Sequence, residues 1–552
     1  MLVELSCDKF IENDKPRGPI RFTTGLNSVI GANDGANDGA NSIGKSTFLL
    51  VIDFIFGGSD YVDEAADVIE NVGHHTINFE FDFHGKHYFF SRSTDNSAFV
   101  NICDENYNIT NHLIKEDYCN FLAKSYRFAS DNLLFRQVMS PFIRVWGRDT
   151  YDHSKPLKAA KNSPDKQGIE SLLMLFGKYD GVNDQKEILK EAENRKNAFN
   201  SAQKYEYIAS VSTDSAYKKN QKRIAQLDEE LKELSDESTK GLGDLSSIQA
   251  QQLADLRRQL SNARRQRTKL LAQKKNFEAE RNPSRQQFEK DFENLQQFFP
   301  EVNLRKLSEI EQFHKQLASV LRKEFTESSK SLQSMVDLIS DNISDLEAKI
   351  SDISDIPNVS QAILDKYAEV RKEITQLQDS NKNYVTKKQL QETFNTLKAA
   401  YDALIQKIFE TLQQEIDSKM RQINDDINLS KKTAPYLTIS SAKSYEFFTP
   451  KDRGTGSEYK GLIVFDLAML EETPLPILVH DSILLKQIQD ESLEGIIRFY
   501  STQSKQVFIA LDKEESVTPA TQTMLKTSTV LRLYPGGGEL FGKAWNEESE
   551  EK

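Results

Sequence analysis

Gly39-Ala40-Asn41-Ser42-Ile43-Gly44-Lys45-Ser46-Thr47 carries the spacing G-x-x-x-x-G-K-[ST], and its flanks turn the pattern into an expectation. Before it, Leu26–Ile30 reads as a strand; after it, Ser46–Phe56 (STFLLVIDFIF) reads as a helix. Strand, glycine loop and helix in that order close backbone N–H groups around a phosphate at the positive end of the helix. In such a loop Gly39, Asn41, Ser42, Ile43, Gly44 and Thr47 cradle the phosphates, Lys45 reaches the β- and γ-phosphates, and Ser46 holds Mg²⁺. The ligand implied is a nucleotide, ATP with Mg²⁺.

The approach to this loop is a repeat. Gly31-Ala-Asn-Asp, Gly35-Ala-Asn-Asp and Gly39-Ala-Asn-Ser are three tandem copies of nearly one tetrapeptide, so Gly39 lies nine residues after Ile30. Removing two copies leaves SVIGANSIGKST, a loop that follows its strand directly. Two readings stay open: a surface extrusion without consequence, or a copy number that tunes how firmly the strand anchors the loop.

Composition narrows the class. The chain has 552 residues, 38% hydrophobic, 28% charged, with 14 prolines. That balance suits long solvated helices more than one large core. No run approaches the roughly 18 apolar residues of a membrane span, and no signal peptide opens the chain. Cys7, Cys103 and Cys119 form no C-x-x-C pair, which fits a reducing cytoplasmic setting and no zinc site. A formal charge of −13 excludes a uniformly basic nucleic-acid binder and leaves local patches.

Three zones follow along the sequence. Residues 1–183 mix strands and helices: Met1–Phe10 and Pro19–Ile30 read as strands, His75–Phe83, Lys86–Ser93 and Ala98–Cys103 as a meander, Asn111–Tyr126 and Gly168–Phe176 as helices. Residues 184–432 lose glycine and gain 4-3 apolar spacing, as in Ile224, Leu227, Leu231, Leu234 and again in Leu256, Leu260, Ala263, Arg267, Leu270, which is coiled-coil patterning. Residues 433–552 return to mixed structure, with Tyr436–Ile439, Pro476–Val479 and Gln506–Leu511 as short strands. The helical zone is expected to fold back on itself. Its apex candidate, 283–303, holds Pro283, Phe298, Phe299 and Pro300, and proline ends helices. Breaks near Gly241 and Pro357 lie equally far from Phe299 and predict an elbow. An uninterrupted arm from 184 to 282 extends about 150 Å at ~1.5 Å per residue.

A phosphate loop needs an acid on a neighbouring strand to hold Mg²⁺ and position water. The first zone offers no apolar strand ending in one. The last zone does, in Leu475-Pro-Ile-Leu-Val-His480-Asp481. Returning arms bring that segment to the loop, giving an α/β nucleotide-handling head assembled from both chain ends, with an antiparallel helical hairpin inserted.

This organisation resembles the SMC-type ATPases, the ABC-class superfamily that includes RecN, SbcC and the SMC proteins. Several segments are similar to a bacterial branch found in ABC-three-component and Lamassu-type anti-phage modules: NSIGKST (41–47) with FLLVIDFIFGG (48–58), FPEVNLRKLSEIEQFHKQL (299–317), LPILVHDSILLKQI (475–488), QVFIALDK (506–513) and GGGELFGKAW (536–545). The resemblance implies ATPase activity and head-to-head homodimers that sandwich ATP. It makes Gln137 the glutamine that senses the γ-phosphate and Mg²⁺, with an ordinary surface residue as the alternative. It sets Gly454, Gly456 and Ser457, ahead of a helix over Glu458–Leu470, where the ABC signature loop belongs, although the S-G-G-Q wording is absent. The usual Asp-Glu pair is here His480-Asp481 followed by Ser482. Either Asp481 is the metal-side acid and no glutamate base remains, or His480 takes the first place and Asp481 is the base; either way turnover is expected to be slow. Asp512-Lys513 replaces the switch histidine, and Asp512 positions His480 or water, or merely caps its strand.

Within the acidic chain, Arg257, Arg258, Arg264, Arg265, Arg267, Lys269, Lys274 and Lys275 follow one another without an Asp or Glu between them. The strip suits sequence-independent contact with DNA phosphates, or pairing with Asp337, Asp341, Asp345 and Glu347 on the returning arm. The function expected is a cytoplasmic, SMC-like ATPase that clamps or senses DNA beside a companion defence subunit. The rivals are a DNA-repair ATPase partnered with a nuclease, and an ATP-gated scaffold with little hydrolysis.

Overall fold

Among the described residues, apolar runs punctuated by turns form two larger sheets, one parallel and one antiparallel, beside two small two-stranded ones. The computed structural model describes residues 1–31, 43–63, 65–129, 133–238, 246–280, 330–350, 361–429, 431–452, 454–512 and 517–544. Gly39, Asn41 and Ser42 lie outside the described residues, as do most of the tetrapeptide repeat, the apex candidate 283–303, and the breaks at Gly241 and Pro357. Residues 1–183 together with 403–552 make one compact unit, and 184–402 make another.

The first unit is organised by a five-stranded sheet in the order Ile143–Arg144, Ile477–His480, Gln506–Leu511, Gly25–Gly31, Thr529–Leu533, with every pair parallel. Gly25–Gly31, the loop strand, pairs with Gln506–Leu511 from Gly25↔Gln506 through Ile30↔Leu511. Every residue of both strands is buried, as parallel strands covered on both faces require. A second, antiparallel sheet runs Ile20–Arg21, Leu2–Ser6, Thr76–Phe83, Lys86–Ser93, Phe99–Cys103, Ile109–Ile114. Its inner face is aromatic: the Phe90 ring lies 5.8 Å from Phe79 and 5.3 Å from Tyr118 on the helix Lys115–Ser125. Gln506 fastens one sheet to the other, accepting from Leu2 N–H at 2.9 Å and donating to the Leu2 carbonyl at 2.8 Å.

Two readings of the sequence are corrected. The single strand over Pro19–Ile30 is two strands in different sheets. The chain turns at Thr23-Thr24, where the Asn27 amide bonds Thr23 N–H and carbonyl and Gly25 takes φ +76°, a value that favours glycine. The helix expected from Asn111 begins only at Lys115; Ile109–Ile114 is a strand paired with Phe99–Cys103, with His112 Nδ1 2.7 Å from Asn101 Oδ1. Cross-strand pairing along that edge overrides the periodicity of the helix that follows.

A buried polar network ties the parallel sheet to the helix Thr455–Glu472. Arg144 reaches Asp466 through Nε at 2.5 Å and Nη2 at 2.6 Å. His480 Nε2 is 2.8 Å from the same carboxylate, and its Nδ1 is 2.6 Å from the Tyr500 hydroxyl. Arg144, Asp466, His480 and Tyr500 are all fully buried. Such a network stays inside a core only when each member is satisfied.

In the second unit, Leu227, Leu231 and Leu234 pack on Val370 and Ile374; Leu260 and Ala263 pack on Ile339, Ile343 and Leu346. Both pairings are antiparallel. Further contacts set these pairs side by side: Lys349 to Asp379 at 3.0 Å, Lys372 to Asp255 at 3.8 Å, and Lys382 with Asp345. The helices flanking each expected break therefore run alongside one another.

Replacing Asp466 by Ala leaves the Arg144 guanidinium buried without a counter-charge, and a loss of about 3–5 kcal/mol is expected. Urea unfolding of the Asp466→Ala variant checks this; a midpoint equal to that of the wild type contradicts it.

Candidate nucleotide site

The site forms where the parallel strands end. The loop helix, Lys45–Ile55, starts from Gly44, whose φ is +96° and which offers no capping side chain. An added Cβ there meets Leu540 Cβ at 2.6 Å, and Leu540 N–H donates to the Ile43 carbonyl at 3.1 Å. The turn Gly536–Glu539 braces the loop in turn, with the Glu539 carboxylate accepting from Gly536 and Gly537 N–H at 2.7 and 2.9 Å. The positive end of this helix suits an anion.

Ser46 Oγ donates to Asp481 Oδ2 at 2.6 Å. Asp481 follows the strand Ile477–His480, is almost fully buried, and has its carboxylate fixed from both sides: Trp146 N–H donates to Oδ2 at 3.0 Å and Ser482 N–H to Oδ1 at 2.7 Å. Asp481 N–H in turn donates to the Arg144 carbonyl at 2.9 Å. Lys45 Nζ stands 2.6 Å from Asp512 Oδ1, and Lys486 Nζ pairs with the other oxygen of that carboxylate. Burial pushes the Asp512 carboxyl up, but the bonds and charges of Lys45 and Lys486 outweigh it and hold the group below the usual carboxylate range. One hydroxyl, one carboxylate and the phosphates of a substrate suit Mg²⁺, which keeps part of its water and needs no protein cage. Among the described residues no group of three or more His, Cys, Asp or Glu side chains stands ready for another metal.

Other residues singled out in the sequence fall elsewhere. His480 points into the core, between Asp466 and Tyr500, because side chains alternate along a strand and its neighbour Asp481 takes the open end. Gln137 Nε2 donates to Ser171 Oγ at 3.1 Å and the Gln167 carbonyl at 3.4 Å, and neither partner belongs to the site. Gly454, Gly456 and Ser457 begin the helix Thr455–Glu472, with Gly454 as its N-cap. A Cβ on Gly456 meets the Gln487 carbonyl at 2.6 Å, so this glycine packs on the segment after Asp481. Ser457 Oγ donates to Asp452 Oδ2 at 2.6 Å and holds that carboxyl below its usual range.

Three participants escaped sequence reasoning: the Trp146 backbone, Lys486 and Asp466. Arg144 in the apolar run Phe142–Val145 was the available clue, since a buried arginine demands a buried acid.

Comparison with known proteins gives a partial match. A family described as an uncharacterised protein conserved in bacteria (DUF2326) matches residues 420–545, a stretch that contains Asp481, Lys486 and Asp512. No curated protein matches. Among solved structures, an Smc head domain with a coiled coil and joint derived from Pyrococcus yayanosii is similar at a TM-score of 0.44 and 15% identity, covering 97% of this chain and 94% of that one. An Smc head domain with an extended coiled coil bound to the C-terminal domain of ScpA, derived from Pyrococcus furiosus, gives 0.36 and 10% over 98% and 95%. An SmcHead bound to the C-winged helix domain of ScpA gives 0.38 and 8% over 98% and 96%. Among the described residues no helix is long and apolar enough to cross a membrane.

If Ser46 and Asp481 share a metal, Asp481→Asn makes nucleotide binding insensitive to Mg²⁺. Titration of a fluorescent ATP analogue with Mg²⁺ and with EDTA should show at least a tenfold Mg²⁺ effect in the wild type and almost none in the variant. An undiminished Mg²⁺ effect in the variant removes Asp481 from the metal.

Proposed function

We propose that this chain is an SMC-like ATP-binding and ATP-hydrolysing protein whose head is built from both chain ends and whose helical arm engages DNA. The observation that carries the reading is the Ser46–Asp481 contact at 2.6 Å, made beside Lys45 at the carboxyl edge of a parallel sheet. Ligands of open α/β sheets bind at that edge. Lys45 and the loop N–H groups bind the triphosphate. Ser46 and Asp481 hold Mg²⁺, which neutralises charge developing on the β- and γ-phosphates. Trp146 and Ser482 N–H groups keep the Asp481 carboxylate oriented. Gly454, Gly456 and Ser457 present a helix N-terminus to the nucleotide of a second copy, giving a homodimer through the heads. The similarity of Gln137 to a γ-phosphate sensor requires it to leave Ser171 when nucleotide binds.

Turnover is slow on this reading. Ser482 stands directly after the metal-side acid, His480 is occupied in the core, and both Asp481 oxygens already accept hydrogen bonds. The same facts favour the second reading, an ATP-gated scaffold. ATP turnover measured with and without linear DNA separates them. The ATPase reading expects a rate below about 1 s⁻¹, under the common ~10 s⁻¹ of enzymes, rising several-fold with DNA; binding without any turnover selects the scaffold.

The DNA contact is assigned to the basic strip. Arg264 is engaged by Glu347 at 2.7 Å and Lys274 by Gln333 at 2.6 Å, while Arg258 meets Asp255 at 3.0 Å. Arg257, Arg265 and Lys269 are exposed, and Arg267 is half-buried. A companion protein of a defence module, or a nuclease, completes the activity in the cell. Changing Arg257, Arg265 and Lys269 to Ala together should lower the slope of log K against log salt by roughly 2–3, near 0.9 for each lost phosphate contact. An unaltered slope returns these residues to helix packing.

A further inference from the structure

Lys45 of the loop is already spoken for. Its ammonium lies 2.6 Å from Asp512 Oδ1, and both side chains are nearly buried, at 7% and 8% exposure. It also passes so close over the end of the loop strand that a Cβ on Gly31 comes within 3.0 Å of Nζ. Asp512 follows Gln506–Leu511, the strand between the loop strand and the acid strand. Its second oxygen is held by Lys486, which caps the short helix Ser482–Leu485 behind Asp481. The three side chains thus form a line from the phosphate loop to the segment after the metal-side acid.

We propose that Asp512 is an internal stand-in for a nucleotide phosphate: it holds Lys45 and is exchanged for the β- and γ-phosphates when ATP or ADP arrives. This rests on the nucleotide reading above and names the residue that regulates it. The physical argument is charge balance. An ammonium this buried needs an anion, and Asp512 provides it until the ligand brings its own. After the exchange, two anions share one small volume, and Lys486 neutralises the protein's share. Lys486 is therefore the counter-ion that makes the exchange permissible, and its side chain, 40% exposed, can follow Asp512. Burial alone raises the Asp512 carboxyl and the two lysines lower it, so the pair of lysines keeps it a carboxylate able to compete with phosphate.

Opposite outcomes are expected from the two neighbours. Asp512→Asn removes the competitor and should tighten ATP and ADP binding roughly tenfold, the order of a charge-assisted hydrogen bond, while leaving AMP unchanged. Lys486→Met leaves Asp512 wholly on Lys45 and should weaken ATP by a similar factor. In a Lys45→Met background the Asp512→Asn gain should vanish. Fluorescence titration of labelled ATP, ADP and AMP on the full chain reads all of these without relying on turnover. Unchanged or weaker ATP binding by Asp512→Asn, or a gain that survives Lys45→Met, overturns the exchange. If Asp512→Asn does not fold, Lys486→Met decides, and tighter ATP binding there is equally fatal. Should Lys45→Met bind ATP as well as the wild type, the nucleotide reading itself falls and takes the exchange with it; a crippled Lys45→Met beside an unaltered Asp512→Asn sinks the exchange alone.

Discussion

The register between Gly25–Gly31 and Gln506–Leu511 is the constraint from which the first unit follows. It joins residues nearly five hundred positions apart through a parallel ladder in which every side chain is buried. A parallel pair needs a crossover between its strands, and here that crossover includes the whole helical arm. A one-residue slip reverses the facing of every side chain. It also carries Asp512 away from Lys45, so the ladder sets site geometry as well as stability.

The site inherits its order from that sheet. Lys45 and Ser46 follow the loop strand, Asp481 follows the strand Ile477–His480, Asp512 follows the strand between them, and Trp146 follows Ile143–Arg144. Each projects from the same carboxyl edge because parallel strands end together. Beneath this edge, Arg144, Asp466, His480 and Tyr500 form a charged and hydrogen-bonded layer that links two strands and two helices. Asp481 therefore sits on a support that also holds the helix Thr455–Glu472.

Much of this was legible in the sequence, for identifiable reasons. The strand before Lys45 and the helix after it were readable because the G-x-x-x-x-G-K-[ST] spacing expects a strand, a tight turn and a helix in that order. Asp481 was readable as an acid ending an apolar run. The 4-3 spacing announced paired helices. What escaped depends on contacts between remote segments. His480 and Asp481 are adjacent and equally polar on paper; only the alternation of the strand separates a core residue from a site residue. Gln137 was expected near the nucleotide from a resemblance, and its bond to Ser171, 34 residues away, could not be read from its surroundings in sequence. Lys349–Asp379 and Lys372–Asp255 are charge pairs between helices that periodicity cannot rank. The split of Pro19–Ile30 turns on Asn27 folding back to Thr23, a local bond that an apolar count overlooks.

The two portions of the parallel sheet are connected twice, by peptide bonds through residues 184–402 and by the hydrogen-bonded seam itself. Severing the backbone within the arm breaks the first connection and leaves every bond of the seam in place. Reassociation then becomes bimolecular, at the cost of the high effective concentration that the tether supplies. The backbone-bonded seam thus holds Ser46 beside Asp481 by contacts that lie wholly outside the arm, so cutting the arm removes a tether and none of those contacts.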